Sequence, residues 1–298
     1  MASVKLKGID VSSYQGDIDW QKVKASGIQF AIIQTCSGNS VISTFKQHIE
    51  GALKAGIHVG CYHFSYAVDA ITAKGEAELF YKTIKPYLGK IDMPLCFDYE
   101  DDSVAYAKRK YGRTITKTQA TEIAETWLSY VESKKCYVVN YTNQNFYNNY
   151  FDKDKLSKYD IWYAAPDRSE PNITCGMMQY SWKGRVSGIN GDVDLNYAYY
   201  DYPSVIKNAG LNGFPLDIPV KILGDINEDG KLTIKDVTLL QKIIAKVLIL
   251  PPEKFNQADF NGDGSINIKD VTAIQKKIAK IGVDIGIKDA TAMQKKIG

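Results

Sequence analysis

Two carboxyl groups stand two residues apart in Phe97-Asp98-Tyr99-Glu100, at the end of an apolar run that begins at Pro94. In an extended strand alternate side chains share a face, so Asp98 and Glu100 point the same way, about 7 Å apart along the chain. Two such groups in a water-poor hollow repel one another. One stays protonated near neutral pH while the other ionises. An acid that protonates a leaving oxygen, beside an anion that steadies a developing cation, is the apparatus for breaking a glycosidic bond. More acids stand at other run ends: Asp10 in Gly8-Ile9-Asp10-Val11-Ser12, and Asp192 and Asp194 in Gly191–Asn196. Aromatic residues lie close by in sequence, Tyr62, Tyr141, Trp162 and Trp182, each able to contact a sugar ring or to pack. Trp182 is read as packing. His63 follows Tyr62, so alternation turns its ring to the opposite face, as a buried and satisfied histidine.

A second chemistry occupies the tail. Asp225, Asn227 and Asp229 take positions 1, 3 and 5 of a twelve-residue loop, with Gly230 at position 6 and Asp236 at position 12. Lys231 and Thr233 fill positions 7 and 9. The pattern returns 34 residues later as Asp259, Asn261, Asp263, Gly264, Ser265, Asn267 and Asp270. Hard oxygen ligands at this spacing, with a glycine for the sharp turn, wrap a calcium ion. Two ions are therefore expected, and no cofactor is needed for the chemistry of the acids. A third copy, Lys288–Ile297, keeps the helix and lacks the ligand half of the loop.

The acids need elements to hold them. Eight apolar runs read as strands: Gly8–Val11, Phe30–Thr35, His58–Phe64, Pro94–Glu100, Cys136–Thr142, Ile161–Ala165, Met177–Trp182 and Asp194–Tyr199. Helical periodicity fills the early gaps, over Ser43–Gly56, Thr72–Tyr87 and Thr116–Ser133. Strand and helix in alternation predict an α/β fold, a TIM-like (β/α) barrel whose sites lie at the strand C-terminal ends. The last two connections are too short for an ordinary parallel crossover. The barrel is therefore expected to be irregular at its closing side, with its last strands partly antiparallel. The tail predicts a small all-α calcium-binding unit, its helices over Val237–Val247 and Val271–Ile281. The boundaries predicted are 1–214 for the barrel, 215–220 for a linker with two prolines, and 221–298 for the tail.

Composition agrees with two domains and excludes other classes. All 20 Tyr and all 4 Trp precede residue 203. The net charge of +3 sits in the tail, where 13 Lys oppose 10 Asp and Glu, so residues 1–220 are neutral. Neither part is basic enough for a nucleic-acid partner. No run of about eighteen apolar residues exists to span a membrane. The five cysteines lack a CxxC pair, and Cys36, Cys61, Cys96 and Cys136 fall in or beside apolar runs, as buried small hydrophobes.

Gly8-Ile-Asp10-Val-Ser-Ser-Tyr-Gln-Gly16, Ala55-Gly-Ile-His-Val-Gly-Cys-Tyr-His-Phe64, Asp98-Tyr-Glu100, Gln179-Tyr-Ser-Trp182 and Val193-Asp-Leu-Asn196 together resemble glycoside hydrolase family 25 over residues 5–214. That resemblance implies a lysozyme cleaving the β-1,4 bond after N-acetylmuramic acid in peptidoglycan. Glu100 then matches the general acid. Asp98 matches its partner, a nucleophile or the group that orients the substrate's acetamido oxygen. Asp10 and Asp194 match flanking carboxylates of the saccharide site. Tyr62, inside a matched motif, becomes a substrate contact, and Tyr141 and Trp162 stand between contact and packing. Where the family often carries Arg after the second strand, this chain reads Gln34-Thr35-Cys36. The paired loops, each with only an exiting helix, resemble a type I dockerin, which implies a cohesin module on a scaffolding protein as partner. Ile234-Lys235 and Ile268-Lys269 repeat at its partner-choosing positions. Secretion is expected, with the signal peptide absent from this sequence, since Met1-Ala2-Ser3-Val4-Lys5 lacks an apolar stretch. An inactive glycan-binding barrel is the alternative, disfavoured by the presence of both acids. A chitinase-like barrel would need a longer acidic run than Met93–Glu100 supplies.

Overall fold

The computed structural model describes residues 5–166, 168–216 and 222–280. The chain divides into two compact units, Met1–Asp217 and Ile218–Gly298. Among the described residues no helix is long and apolar enough to cross a membrane.

The first unit opens with β1 (Leu6–Val11), α1 (Trp20–Ala25), β2 (Phe30–Ser37), the short β3 (Ser40–Val41), α2 (Phe45–Lys54), β4 (His58–Phe64) and α3 (Ala70–Ile84). It continues through β5 (Leu95–Asp98), α4 (Asp101–Tyr111), α5 (Lys117–Glu132), β6 (Val138–Asn143), α6 (Lys153–Leu156), β7 (Asp160–Ala164), β8 (Met177–Gly184), β9 (Val193–Ala198) and α7 (Tyr202–Asn208). The sheet runs β1-β9-β8-β7-β6-β5-β4-β2-β3, and a parallel β1–β2 pairing closes eight strands into a barrel. β3 hangs on β2 as a two-residue antiparallel stub.

The predicted irregularity is present, though it is differently placed. β9 pairs antiparallel with both β8 and β1. β7 and β8, however, run parallel, joined by residues 165–176 with no helix among those described. The short connection had suggested reversal. An extended loop climbs the barrel wall in fewer residues than a helix needs, so the parallel direction survives.

Alternation sorts the side chains into two layers. On β5, Leu95, Phe97 and Tyr99 pack outward against helices, while Cys96 and Asp98 turn inward. The inward layer holds Phe30, Ile32, Tyr62, Met93, Val139 and Tyr141. The outward layer is pinned by Trp127 of α5, which packs on Phe80, Phe97 and His63. His63 does face away from Tyr62. Its Nε2 lies 2.9 Å from Glu76 Oε2 of α3, and that carboxylate also accepts from Ser65 Oγ and the Tyr66 amide. All five cysteines are buried and free.

The second unit repeats its loops bond for bond. In the first, Asp225 accepts from the amides of Asp229 and Gly230, and Asp236 from those of Asn227 and Thr233. In the second, Asp259 accepts from Asp263 and Gly264, and Asp270 from Asn261 and Asn267. Gly230 and Gly264 sit at φ 77° and 80°, where a side chain would be strained. Helices follow, α8 (Ile234–Ile244) and a helix over residues 268–280, starting three residues earlier than expected because Thr233 caps the first. Val237 and Leu240 pack with Val271 and Ile274. The third helix expected over 288–297 and most of the expected linker lie outside the described residues.

Gly8 shows how closely the barrel floor is filled. A Cβ there would lie 2.4 Å from the Phe30 ring. Gly8→Ala should therefore destabilise the barrel by about 1–3 kcal/mol, the usual range for overpacking. Thermal unfolding of the full chain checks this, and an unchanged melting temperature would refute the close fit.

Candidate active site

β1 and β9 set Asp10 and Asp194 in direct register as antiparallel partners. Facing residues of such a pair share one side of the sheet, so their carboxyls converge. β5 delivers Asp98 beside Phe64 of β4 and Tyr141 of β6. Glu100 lies beyond the strand, as the N-cap of α4, with its backbone still extended. Alternation therefore holds past the strand's end, and Asp98 and Glu100 both line the same hollow of about 420 Å³ with Asp10 and Asp194. Serine 103 steadies the cap: the Glu100 amide donates to Ser103 Oγ at 3.1 Å.

Two amides organise these acids. Gln179 Nε2 donates to Asp10 Oδ2 at 2.9 Å and to Asp194 Oδ2 at 3.3 Å. Asn196 Nδ2 donates to the same Asp10 oxygen at 2.7 Å. An amide can present either end, so something must set it. Indole N–H groups only donate. Trp162 Nε1 donates to Asn196 Oδ1 and Trp182 Nε1 to Gln179 Oε1, each at 2.8 Å, and Tyr141 OH adds a second bond to Gln179 Oε1. Both amides must then turn their N–H groups toward the acids.

The electrostatics follow from crowding. Among the described residues lining the hollow there is no Lys, Arg or His; Gln34 stands there, neutral. Burial raises Asp10 from 3.8 to about 6, against the pull of its amide donors. Burial and then the Asp10 charge raise Asp194 to about 8. Burial, with Asp101, Asp102 and Asp10, raises Glu100 from 4.5 to about 7. Asp98 is held well above the usual carboxylate range by burial, Glu100 and Asp10. Its Oδ1 is buried and accepts no hydrogen bond. The site thus holds a carboxylic acid protonated near neutrality and a buried oxygen that lacks a donor.

Every acid expected in the site is in it. Tyr62 and Tyr141 form its floor, less than a tenth exposed, and Trp162 packs edge-on to both. With 1% of its surface exposed, Trp162 acts on the site through its N–H bond to Asn196. Trp182 corrects the expectation of packing: it is 54% exposed and lines the hollow. Register shifts in β8 between Gln179 and Ser181, and again before Gly184, break the alternation that would have buried it. Tyr14, 93% exposed and also lining the hollow, was not singled out from sequence. Nor were the roles of Gln179 and Asn196, although both lie in recognised motifs; the available signal was an amide on a strand whose neighbours carry acids. Glu100, Tyr141 and Trp182 also border a second hollow of about 530 Å³, so Glu100 stands at the junction of the two.

The loops of the second unit offer different chemistry. Among the described residues no three His, Cys, Asp or Glu side chains form a metal cage by themselves. Each loop instead combines three aspartates with an asparagine, all hard oxygen donors. Asp225, Asp236 and Asp270 are almost wholly buried within the loops they close. That donor set fits a calcium ion.

The model of glycosyl hydrolases family 25 matches residues 9–189. That of the type I dockerin domain matches residues 223–279. The chain is 33% identical over 198 residues to the autolytic lysozyme of Clostridium acetobutylicum, a match covering 64% of this chain and 55% of that protein. It is 30% identical over 200 residues to lysozyme M1 of Streptomyces globisporus, covering 64% and 67%. In structure it is similar to the bacterial lysozyme of Streptomyces coelicolor, with 26% identity and a TM-score of 0.59, covering 68% of this chain and 98% of that one. It is likewise similar to a family 25 glycosyl hydrolase of Bacillus anthracis, with 26% identity and a TM-score of 0.56, over 67% and 91%.

The raised acids make stability depend on pH. Unfolded, Asp10 and Asp194 ionise near 3.8 and Glu100 near 4.5; folded, they keep their protons to about 6, 8 and 7. Between those limits the fold binds more protons than the unfolded chain. Their contribution is therefore fully present below about pH 4 and is lost as pH rises toward about 8. Asp194→Asn should raise the melting temperature at pH 8 and change it little at pH 4. Calorimetry at both pH values checks this; an equal effect at each would contradict the electrostatic account.

Proposed function

Because the chain belongs to glycosyl hydrolase family 25, we propose that it hydrolyses the β-1,4 bond between N-acetylmuramic acid and N-acetylglucosamine in peptidoglycan, outside the cell. The observation that carries this reading is the position of Glu100. It is protonated near neutrality, shares a face with Asp98, and borders two adjoining hollows. A glycosidic bond spanning the junction places its oxygen at the acid.

The residues divide the work. Glu100 gives its proton to the leaving oxygen and then takes one from the incoming water. The unpaired Asp98 oxygen accepts the N–H of the sugar's acetamido group and aims that group's oxygen at the anomeric carbon. The amide-bound Asp10 and Asp194 lie where positive charge develops. Tyr14 and Trp182 flank the opening as platforms for sugar faces. Two carboxyls on one strand leave little room for a water beneath the sugar, so the product should retain its anomeric configuration, through the acetamido group or through Asp98 directly.

Glu100→Gln should leave the fold intact and lower wall lysis by roughly 10²–10⁴-fold, as loss of a general acid does. Wild-type protein should release the β-anomer first in an NMR time course. Near-normal lysis by the mutant would remove Glu100 from its role, and initial α-anomer would exclude retention.

For the second unit we infer attachment to a cohesin module of a scaffolding protein. Asp225, Asn227, Asp229 and Asp236, with Lys231 and Thr233, would hold one calcium ion. Asp259, Asn261, Asp263 and Asp270, with Ser265 and Asn267, would hold another. Calcium supplies the charge that lets these aspartates sit together, so binding free energy becomes folding free energy. Chelation of the full-length protein should lower the stability of residues 222–280 and abolish cohesin binding, while lysis persists. Loss of lysis with cohesin binding intact would reverse the assignment.

A further inference from the structure

The barrel has a further hollow, away from the four clustered acids, on the outside of β6 and β7. It measures about 450 Å³ and adjoins one of about 270 Å³, both bordered by Tyr137, Tyr159 and Asp160. Its origin is the short crossovers. α6 is four residues long, and residues 165–176 supply no helix among those described, so this wall lacks the usual cover.

On β6, Val139 and Tyr141 turn into the barrel and Asn140 and Thr142 turn out into this groove. Asn140 is 5% exposed, and its Oδ1 accepts no hydrogen bond. Outward positions under a barrel helix are ordinarily apolar, and a buried amide without a partner costs about 1–3 kcal/mol. Around it stand aromatic faces. Tyr200 is 44% exposed, and Tyr147 forms another part of the wall. Hydroxyls of Ser157 and Thr174 complete the lining.

The charges indicate what fits. Lys153 is spent on Asn148 Oδ1 at 3.1 Å and lies over the Tyr147 ring. Lys158 is paired with Glu132 at 3.0 Å and lies over Tyr159. Asp160 brings a carboxyl to the base. With Lys158 paired to Glu132, the remaining lining charges, Lys153 and Asp160, offset each other, so the groove offers an anion no net attraction. A flat molecule with apolar faces and many hydroxyl or N–H groups finds tyrosine faces and an acceptor waiting for a donor. That is the chemistry of a neutral saccharide.

We propose that this outer-wall groove is a second, non-catalytic binding site for neutral N-acetylated saccharide, which holds a strand of the polymer while another segment is cut. The polymer's identity rests on the reading above; the groove's preference for sugar does not. A ring lies against Tyr200 and Tyr147, and a hydroxyl or acetamido N–H donates to Asn140.

The test uses full-length Glu100→Gln protein and an N-acetylglucosamine tetramer, followed by NMR. Two sets of shifts should appear, one around Tyr14 and Trp182, the other around Asn140, Tyr147 and Tyr200. Asn140→Ala should weaken the second set roughly fivefold, the worth of one hydrogen bond, and leave the first unchanged. Tyr200→Ala, at an exposed position, gives the same reading if Asn140→Ala fails to fold. In otherwise wild-type protein, Tyr200→Ala should bind insoluble walls more weakly and cleave soluble fragments normally. Shifts confined to the cleft, or an unaltered second set in both variants, would overturn the proposal. If wild-type protein cut no wall while the outer shifts persisted, the reading of function would fail and the groove would stand.

Discussion

Asp10, Asp98, Glu100 and Asp194 share one hollow whose lining holds no cation among the described residues, with a fifth carboxyl, Asp192, paired to Arg185 beside them, and the rest of the barrel mouth answers to that repulsion. The cost of burying like charges is met by protons and by oriented amides rather than by counter-ions. An arginine or lysine among the acids would have lowered their pKa values and favoured the ionised form of Glu100. Gln34, Gln179 and Asn196 are neutral for the same physical reason. They carry N–H groups without fixing a full charge beside the acids.

This arrangement requires the irregular closure. In an all-parallel barrel β1 and β9 would be offset neighbours. Antiparallel pairing puts Asp10 directly opposite Asp194, close enough for one Gln179 amide to reach both. The same side of the barrel carries the register shifts of β8 that release Trp182 to the rim. Regular and irregular halves thus have different tasks. The parallel strands β4 to β7 carry Asp98 and the aromatic floor, and β8, β9 and β1 carry the polar bridge. Economy in the connections has a further effect, since the short helical turns after β6 and the loop after β7, helix-free among the described residues, leave a groove on that wall.

The second unit follows a separate logic. Its two loops repeat one hydrogen-bond scheme, in which the first aspartate of each accepts from the amides four and five residues further on. The helices they launch share a small core of Ile226, Val237, Leu240, Val271 and Ile274. A core of this size is small for a folded unit, and it lies apart from the barrel core.

Short-range rules made much of this legible in the order of residues. Strand alternation alone put Asp98 and Glu100 on one face, sent His63 away from Tyr62, and held past the strand's end where Glu100 becomes a helix cap. The two loops were equally plain, because a turn of fixed length confines their acids within twelve residues. What escaped depends on contacts between distant segments. Nothing near Gln179 or Asn196 in sequence says that Trp182, Tyr141 and Trp162 will point their amides at Asp10; closure of the sheet brings these groups together. Trp182 was misread because a bulge defeats the period of two, and a bulge is set by pairing with a partner strand. The unpaired oxygens of Asp98 and Asn140 belong to the same class. Whether a polar atom finds a donor is decided by every neighbour in three dimensions, and the chain's local pattern carries no trace of it.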